Sequence, residues 1–235
     1  MKQLMRGIVL FTQRFFQDEN KRLHMKKSMV QSREDQIMKK KSTVYQLTTC
    51  ALMAALMCIL GPNSVPIGPV PVSLTNLVIY LAVYLLGTKG STISYIVYLL
   101  LGMVGLPVFS GYEGGFGKLA GPTGGYLIGF ILMAIVCGIF MEKSHANIWI
   151  TSLGMVLGTI VAYLFGTVWF IHQLDYTWGQ ALAVCVWPFI PFDLIKIVIA
   201  GILGKSIRHA LSKAHLLPTE FADKKAVETV AAEAE

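Results

Sequence analysis

Charged residues are scarce and unevenly placed in this sequence. Of its 235 residues only 14% are Asp, Glu, Lys or Arg, and 54% are hydrophobic, whereas soluble domains carry roughly 25% charged residues. No charged residue occurs in four long stretches, 42–88, 90–112, 119–141 and 144–174. A soluble fold of this size could not cover its surface with so little charge. The composition therefore predicts a polytopic membrane protein.

Residues that would indicate several other functions are also missing. The sequence has no HExxH or GxSxG motif, and its four cysteines show neither metal-type spacing nor a disulfide framework: Cys50, Cys58, Cys137 and Cys185. His145 and His172 fall in loops predicted on opposite sides of the membrane, which disfavours a shared metal. Gly117-Lys118 is not a phosphate-binding loop, because Leu119 replaces the required Ser or Thr. We therefore predict a binding protein that is not an enzyme and has no cofactor.

The formal net charge of +7 comes from the N-terminal region. Residues 1–41 contain 11 Lys/Arg and 4 Asp/Glu, whereas residues 42–205 contain 5 and 4. A basic segment beside a membrane span follows the positive-inside bias, so nucleic acid is not needed to explain it. We predict a basic cytoplasmic arm over 1–41, a membrane domain over 42–205 and a cytoplasmic tail over 206–235. Two interpretations of the arm stay open: a helix lying on the membrane surface, or a start at Met38.

Hydropathy predicts an all-α membrane protein with six transmembrane helices. They cover about Val44–Leu60, Ser73–Gly87, Ser91–Leu106, Thr123–Met141, Ile148–Ile171 and Ala181–Gly204. An even number of spans places both termini on one side, together with the arm, Lys89, Lys143, Lys205, Arg208 and Lys213. The other side has Lys118 alone. The N- and C-termini are therefore predicted to be cytoplasmic in a multi-pass membrane protein, in contact with membrane lipid.

The three predicted outward loops are apolar, stiff or aromatic. Loop 1, residues 61–72, has four prolines and two glycines, and loop 3, residues 107–122, has five glycines with Phe109, Tyr112 and Phe116 between them. Loop 5, residues 172–180, contains Tyr176 and Trp178. Such loops suit lids that cover a ligand. Connectors resting at the bilayer interface, with Trp and Tyr as belt residues, are the alternative.

Small residues four apart indicate close helix packing. Gly125 and Gly129 form one such motif, Gly154 and Gly158 a second, and Ala51–Ala55 makes a small-residue face on the first span. These motifs permit helix backbones to approach closely. Packing within the chain explains all three as well as a contact with a partner does.

Asp193 and Lys196 are the only charged residues inside the last predicted span. A charge at membrane depth costs at least ~2.5–3.5 kcal/mol and usually faces a partner, a cavity or a ligand. At i and i+3 the two side chains share one helix face. Together they would offer a carboxylate acceptor and an ammonium donor to a ligand. The alternative is a self-satisfied ion pair that only closes helix packing.

Four distinctive runs start at Pro66 (PIGPVPVSL), Gly102 (GMVGLPVFSG), Gly121 (GPTGGYLIGF) and Pro188 (PFIPFDLIK). They resemble the BioY family, the biotin-binding S components of energy-coupling factor (ECF) transporters, and the similarity extends over about residues 44–205. The resemblance implies a six-helix subunit of a prokaryotic cell membrane that captures biotin near the outer face and delivers it across the membrane with partner subunits. An S component for a different vitamin, or a non-catalytic membrane scaffold subunit, is the alternative.

The resemblance also implies roles for individual residues. Lys196 is expected to meet the valerate carboxylate of biotin and Asp193 the ureido N–H groups, with Asn76 supplying an amide. Further candidate ligand contacts are Phe109, Tyr112 and Tyr126. The face made by Ala51 and Ala55 is expected to dock on the membrane coupling subunit, which works with two cytoplasmic ATPase subunits.

Overall fold

The computed structural model describes residues 44–67, 70–144 and 147–213. These ranges contain seven helices and two short strands, so the prediction of a mostly helical protein is confirmed. The elements are α1 (Val44–Leu60), β1 (Ser64–Ile67), β2 (Val70–Ser73), α2 (Thr75–Met103), α3 (Phe116–Ala120), α4 (Gly124–Lys143), α5 (Ile148–Leu174), α6 (Trp178–Cys185) and α7 (Ile190–Lys213). The predicted arm, and the tail after residue 213, lie outside the described residues.

Several of these helices could cross a membrane. By length and hydropathy, α2, α4 and α5 are each sufficient, and α6 with α7 makes a further candidate bent by 46°. The bend falls where Pro188 and Pro191 interrupt the sequence, because proline cannot donate a backbone N–H and clashes with the preceding turn. Helix α7 packs against α2 and α5 beyond this bend.

Helix α2 contains both the second and the third predicted spans and is broken between them. Gly87 has φ 67° and ψ −166°, a conformation that is accessible to glycine and strained for other residues. The Thr75 side chain at the start of the first arm interacts with the Tyr98 hydroxyl in the second. The second arm therefore returns alongside the first, as two consecutive antiparallel helices would.

Glycines bring α4 and α5 into close contact. A Cβ placed on Gly158 would lie 2.6 Å from Cys137 Sγ, and one on Gly129 would lie 3.2 Å from the Ala162 carbonyl oxygen. These are the packing motifs that the sequence indicated, and both are used within the chain. Close approach of the two backbones replaces the hydrophobic driving force that is absent between helices in lipid.

Loop 1 folds as a β-hairpin, which the sequence analysis did not predict. β1 and β2 pair antiparallel with Ser64 opposite Ser73 and Pro66 opposite Pro71. A pair of prolines fits a two-stranded ribbon, because both strands are edges and an outward position needs no N–H donor. Residues 68–69, between the strands, lie outside the described residues. The hairpin leads directly into α2 and so holds β2 close to the start of that helix.

Buried tyrosine hydroxyls connect the helices. Tyr80 on α2 is 2.6 Å from the Thr159 hydroxyl on α5, and Tyr95 donates to the carbonyl of Leu127 on α4 at 2.7 Å. Both tyrosine side chains are fully buried. Because hydrocarbon offers no alternative partner, these contacts offset the cost of burying the two hydroxyls. These bonds fix how α2, α4 and α5 surround the site described next.

Candidate ligand-binding site

Asp193 and Lys196 lie in the first two turns of α7 and are buried together. Their side chains are 7% and 9% exposed, and Lys196 Nζ is 3.1 Å from Asp193 Oδ1. Asp193 also continues the helix across the bend, since its backbone N–H donates to the carbonyl of Phe189. The two charges therefore form the ion pair that the i, i+3 spacing allowed.

The start of α2 supplies the next partners of this pair. Asn76 Nδ2 donates to Asp193 Oδ1 at 2.7 Å, and Asn76 Oδ1 accepts from Lys196 Nζ at 2.9 Å. Lys196 also donates to the Ser73 carbonyl at 2.7 Å, at the end of β2. The Asn76 side chain thus contacts both charged groups, and the hydrogen bonds of Lys196 connect α7 to the hairpin and to α2.

Tyr163 on α5 completes the cluster, and sequence reasoning missed it. Its hydroxyl donates to Asp193 Oδ2. A signal was present, because Thr159, Tyr163 and Thr167 recur every four residues and so form a polar stripe on an otherwise apolar helix. Thr159 contacts Tyr80, and Thr167 contacts Tyr126 at 2.9 Å. We call the four residues Asn76, Tyr163, Asp193 and Lys196 the polar cluster.

The polar cluster forms part of the wall of a cavity of about 60 Å³. Five of the six predicted ligand residues line it: Asn76, Phe109, Tyr126, Asp193 and Lys196. The remaining wall is largely apolar and comes mainly from β2, α4 and the α6–α7 bend. Lys118 is a second cation in this wall. The further lining residues are Val70, Pro71, Val72, Ser73, Ser110, Lys118, Thr123, Leu127, Phe130, Tyr163, Cys185 and Phe189.

Tyr112 is the one predicted ligand residue that this cavity does not include. It is 64% exposed, and its hydroxyl donates to Asn63 Oδ1 at 3.1 Å. It lines a different, open cavity of about 560 Å³ on the other side of the hairpin, which Lys196 and Val72 also reach. Tyr112 has φ 60° at the turn of loop 3, and its exposed ring contrasts with that of Phe109, which is fully buried. Val72 and Lys196 line both the inner and the outer cavity.

The geometry suits non-covalent binding of a small, partly polar molecule. The carboxylate of Asp193 can accept from ring N–H groups, while Lys196 and Asn76 can donate to a carbonyl. Ligand pockets usually measure ~300–1,000 Å³, so the wall of the 60 Å³ cavity must move outward to admit one. Among the described residues, no three His, Cys, Asp or Glu side chains lie close enough together to hold a metal ion.

Comparison of the sequence with known proteins identifies the family of this chain. A model described as the BioY family matches residues 35–213. The chain belongs to the BioY family. The biotin transporter BioY of Thermotoga maritima is 39% identical to it over 165 residues, covering 69% of this chain and 95% of the relative. Biotin transporter BioY2 of Lactococcus lactis is 34% identical over 171 residues, covering 72% and 93%.

A solved structure shares the fold of this BioY-family chain. It is the crystal structure of the S-component for biotin from an ECF-type ABC transporter, with 33% sequence identity and a TM-score of 0.68. The match covers 72% of this chain and 93% of that one. The resemblance expected from the sequence motifs is confirmed at the level of family and fold.

The burial of the Asp193–Lys196 pair leads to a prediction for stability. Replacing Lys196 with Met leaves a buried carboxylate without its cation, which should lower the free energy of unfolding by ~3–5 kcal/mol. The double variant Lys196→Met with Asp193→Asn removes both charges and should recover a large part of that loss. Thermal unfolding of the three purified proteins in one detergent, without added ligand, measures this. A double variant that unfolds as easily as Lys196→Met would contradict the prediction that removing the carboxylate charge restores stability.

Proposed function

We propose that this chain is the biotin-binding S component of an ECF-type vitamin transporter. The observation that carries the proposal is a buried carboxylate with a lysine and an amide beside it, in a chain whose relatives include proteins named biotin transporters. The ureido ring of biotin has two N–H donors and one carbonyl acceptor. Asp193 can accept from the former, while Lys196 and Asn76 can donate to the latter.

The proposed arrangement in the membrane has six transmembrane helices and cytoplasmic termini. In this arrangement each arm of α2 is one span, and α6 with α7 is one bent span. Contacts at the end of the bundle remote from the hairpin support it: the Thr88 amide donates to Glu142, and Arg208 donates to the Tyr84 carbonyl. The basic residues Lys89 and Lys143 adjoin this end in sequence, as the positive-inside bias requires of a cytoplasmic face.

We further propose that the hairpin is the lid of the site. All four residues of β2 line the cavity, and Val70 is 8% exposed whereas Val65 on β1 is 62% exposed. The prolines opposite each other limit the conformations of the open hairpin, which reduces the entropy lost when it closes. A stiff apolar ribbon that seals a ligand should slow its release.

We propose that a membrane coupling subunit and two cytoplasmic ATPase subunits supply the energy for transport by this chain. The side chains of Ala51 and Ala55 are exposed on α1, while Ala54 between them is buried. A small-residue face that the chain leaves open suits close approach by a helix of another membrane subunit.

The direct test of the function is binding by the purified chain alone. We expect one biotin per monomer without ATP, measured by equilibrium dialysis of labelled biotin against monodisperse protein. Unlabelled biotin should displace the label, and a panel of other vitamins should not. Retention of another vitamin in place of biotin would reassign the ligand, and retention of neither would contradict the proposal.

If the hairpin is the lid, changes in β2 should alter the rate at which biotin is released, whereas changes in β1 should not. Val70→Ser should raise the dissociation rate constant of biotin by roughly tenfold, because burying a Val side chain contributes ~1.5–3 kcal/mol. Val65→Ser is the matched control on the exposed strand and should leave that rate unchanged. Stopped-flow measurements of release compare the two variants. Equal rates for both would show that β2 does not cover the ligand.

The α1 face predicts a separation of binding from transport. Ala51→Leu and Ala55→Leu should leave biotin affinity unchanged yet abolish uptake in cells that express the coupling subunits, because a bulky side chain holds the partner helix away. Ala183→Leu, a similar change at an exposed alanine of α6, is the control and should transport normally. Normal uptake by the two α1 variants would remove the docking role from this face.

A further inference from the structure

A second lysine reaches the cavity of the polar cluster. Lys118 on α3 lines the same cavity as Lys196. Its side chain is 18% exposed, and its Nζ lies 2.6 Å from Glu113 Oε2, whose side chain is 56% exposed. Biotin has one terminal carboxylate, so the cavity offers two cations for one anion. The structure gives grounds for choosing between them.

Lys196 is poorly placed to take a ligand carboxylate. It directs its ammonium N–H groups to three oxygens, on Ser73, Asn76 and Asp193. A ligand carboxylate bound to the same ammonium would lie within a few ångströms of the Asp193 carboxylate, which is already 3.1 Å from Nζ. At such a short distance in a site without water, the ligand carboxylate and the Asp193 carboxylate would repel each other strongly. A neutral carbonyl oxygen could replace one of the three acceptors without that repulsion.

Lys118 is better placed than Lys196 to bind a ligand carboxylate. Its partner Glu113 has a side chain that is 56% exposed, whereas the Asp193 side chain is 7% exposed, so the Glu113 carboxylate can turn into water and release Lys118. Ser110 and Thr123 line the cavity with it and carry hydroxyl groups that can donate to an anion. Helix α3 packs against α2 and α4, whereas α7 packs against α2 and α5. The two lysines therefore reach the cavity from different walls.

We infer that Lys118 binds the carboxylate of the ligand, while Lys196, Asn76 and Asp193 hold its ureido ring. The inference rests on the proposed function and assigns the two poles of the ligand to two lysines. It differs from the expectation drawn from the sequence, which gave the carboxylate to Lys196. The apolar wall, with Phe109, Phe130 and Phe189, suits the sulfur-containing ring and the methylene chain of biotin.

The test compares biotin with biotinamide, which keeps the ring and lacks the carboxylate charge. Wild-type protein should bind biotin more tightly than biotinamide. Lys118→Met should weaken biotin by roughly 10- to 150-fold, the loss of a charge-assisted bond in a dry site, and should leave biotinamide nearly unchanged. Lys118→Arg should retain most of the preference for biotin. Isothermal titration calorimetry on monodisperse protein in detergent gives the six affinities of the three proteins for the two ligands.

Two matched variants make the outcome decisive. Tyr163→Phe removes one hydrogen bond to Asp193 at constant ring size, and it should weaken both ligands by the same factor. Glu113→Gln removes the anion that competes for Lys118, so it should strengthen biotin and leave biotinamide unchanged, which tests the inference even where Lys118→Met does not fold.

The contradicting results are specific. The inference is overturned if Lys118→Met weakens both ligands equally, if Glu113→Gln weakens biotin, or if wild-type protein binds both ligands with equal affinity. Failure of wild-type protein to bind either ligand would instead contradict the proposed function itself. The two failures are therefore distinguishable.

Discussion

The carboxylate of Asp193 must be satisfied inside a bundle of apolar helices, and the arrangement around it follows from that constraint. An ion removed from water without partners is prohibitively unfavourable. Here the two carboxylate oxygens accept from Asn76 on α2, Lys196 on α7 and Tyr163 on α5. Three helices are thereby fixed relative to one another at one point. The same oxygens are the acceptors that a ligand with ring N–H groups would require.

The constraint also links the binding site to the parts that would move. Lys196 holds the Ser73 carbonyl at the end of β2 as well as Asp193. A ligand that enters the polar cluster would compete for these donors and acceptors, and it would thereby change how firmly the hairpin is attached to α7. Elsewhere Gly129 and Gly158 bring α4 and α5 into close contact. We propose that a closely packed bundle with one movable hairpin is the physical basis for capture and slow release.

Sequence reasoning found the charges and the family but not the complete site. The contact between Asp193 and Lys196 could be predicted from their spacing in an apolar span, because a charge inside a membrane usually contacts another polar group. The glycine pairs were readable because close packing requires small residues. Tyr163 was missed because a tyrosine in an apolar span is also a common packing residue, and only its partner on α7 distinguishes it. The hairpin was missed because prolines in loop 1 argue against strands unless the strands are edges.

The positions of the loop residues depended on tertiary structure. Phe109 and Tyr112 are three residues apart in one glycine-rich loop, yet the turn at Tyr112 sends one ring into the core and the other toward the outer cavity. The reversal between the second and third predicted spans, in contrast, agrees with the expectation from hydropathy, because α2 is broken at Gly87 and its second arm returns beside the first. Local composition carried no information on the directions of the two loop rings. The fold and the charged pair were predictable, whereas the cavity wall required coordinates.

The central claim is that the ureido ring of biotin lies against Asp193. Solid-state nuclear magnetic resonance can test it on the full chain in lipid, with biotin labelled with ¹⁵N in the ureido ring and the protein labelled with ¹³C at aspartate. A ureido N–H that donates to this carboxylate places its nitrogen within about 4 Å of Asp193 Cγ. We therefore expect a dipolar coupling between the ureido ¹⁵N and the ¹³C of Asp193. In the control, Asp193→Asn protein labelled only at aspartate, this coupling should be absent. Bound biotin that shows no coupling to Asp193 would contradict the account.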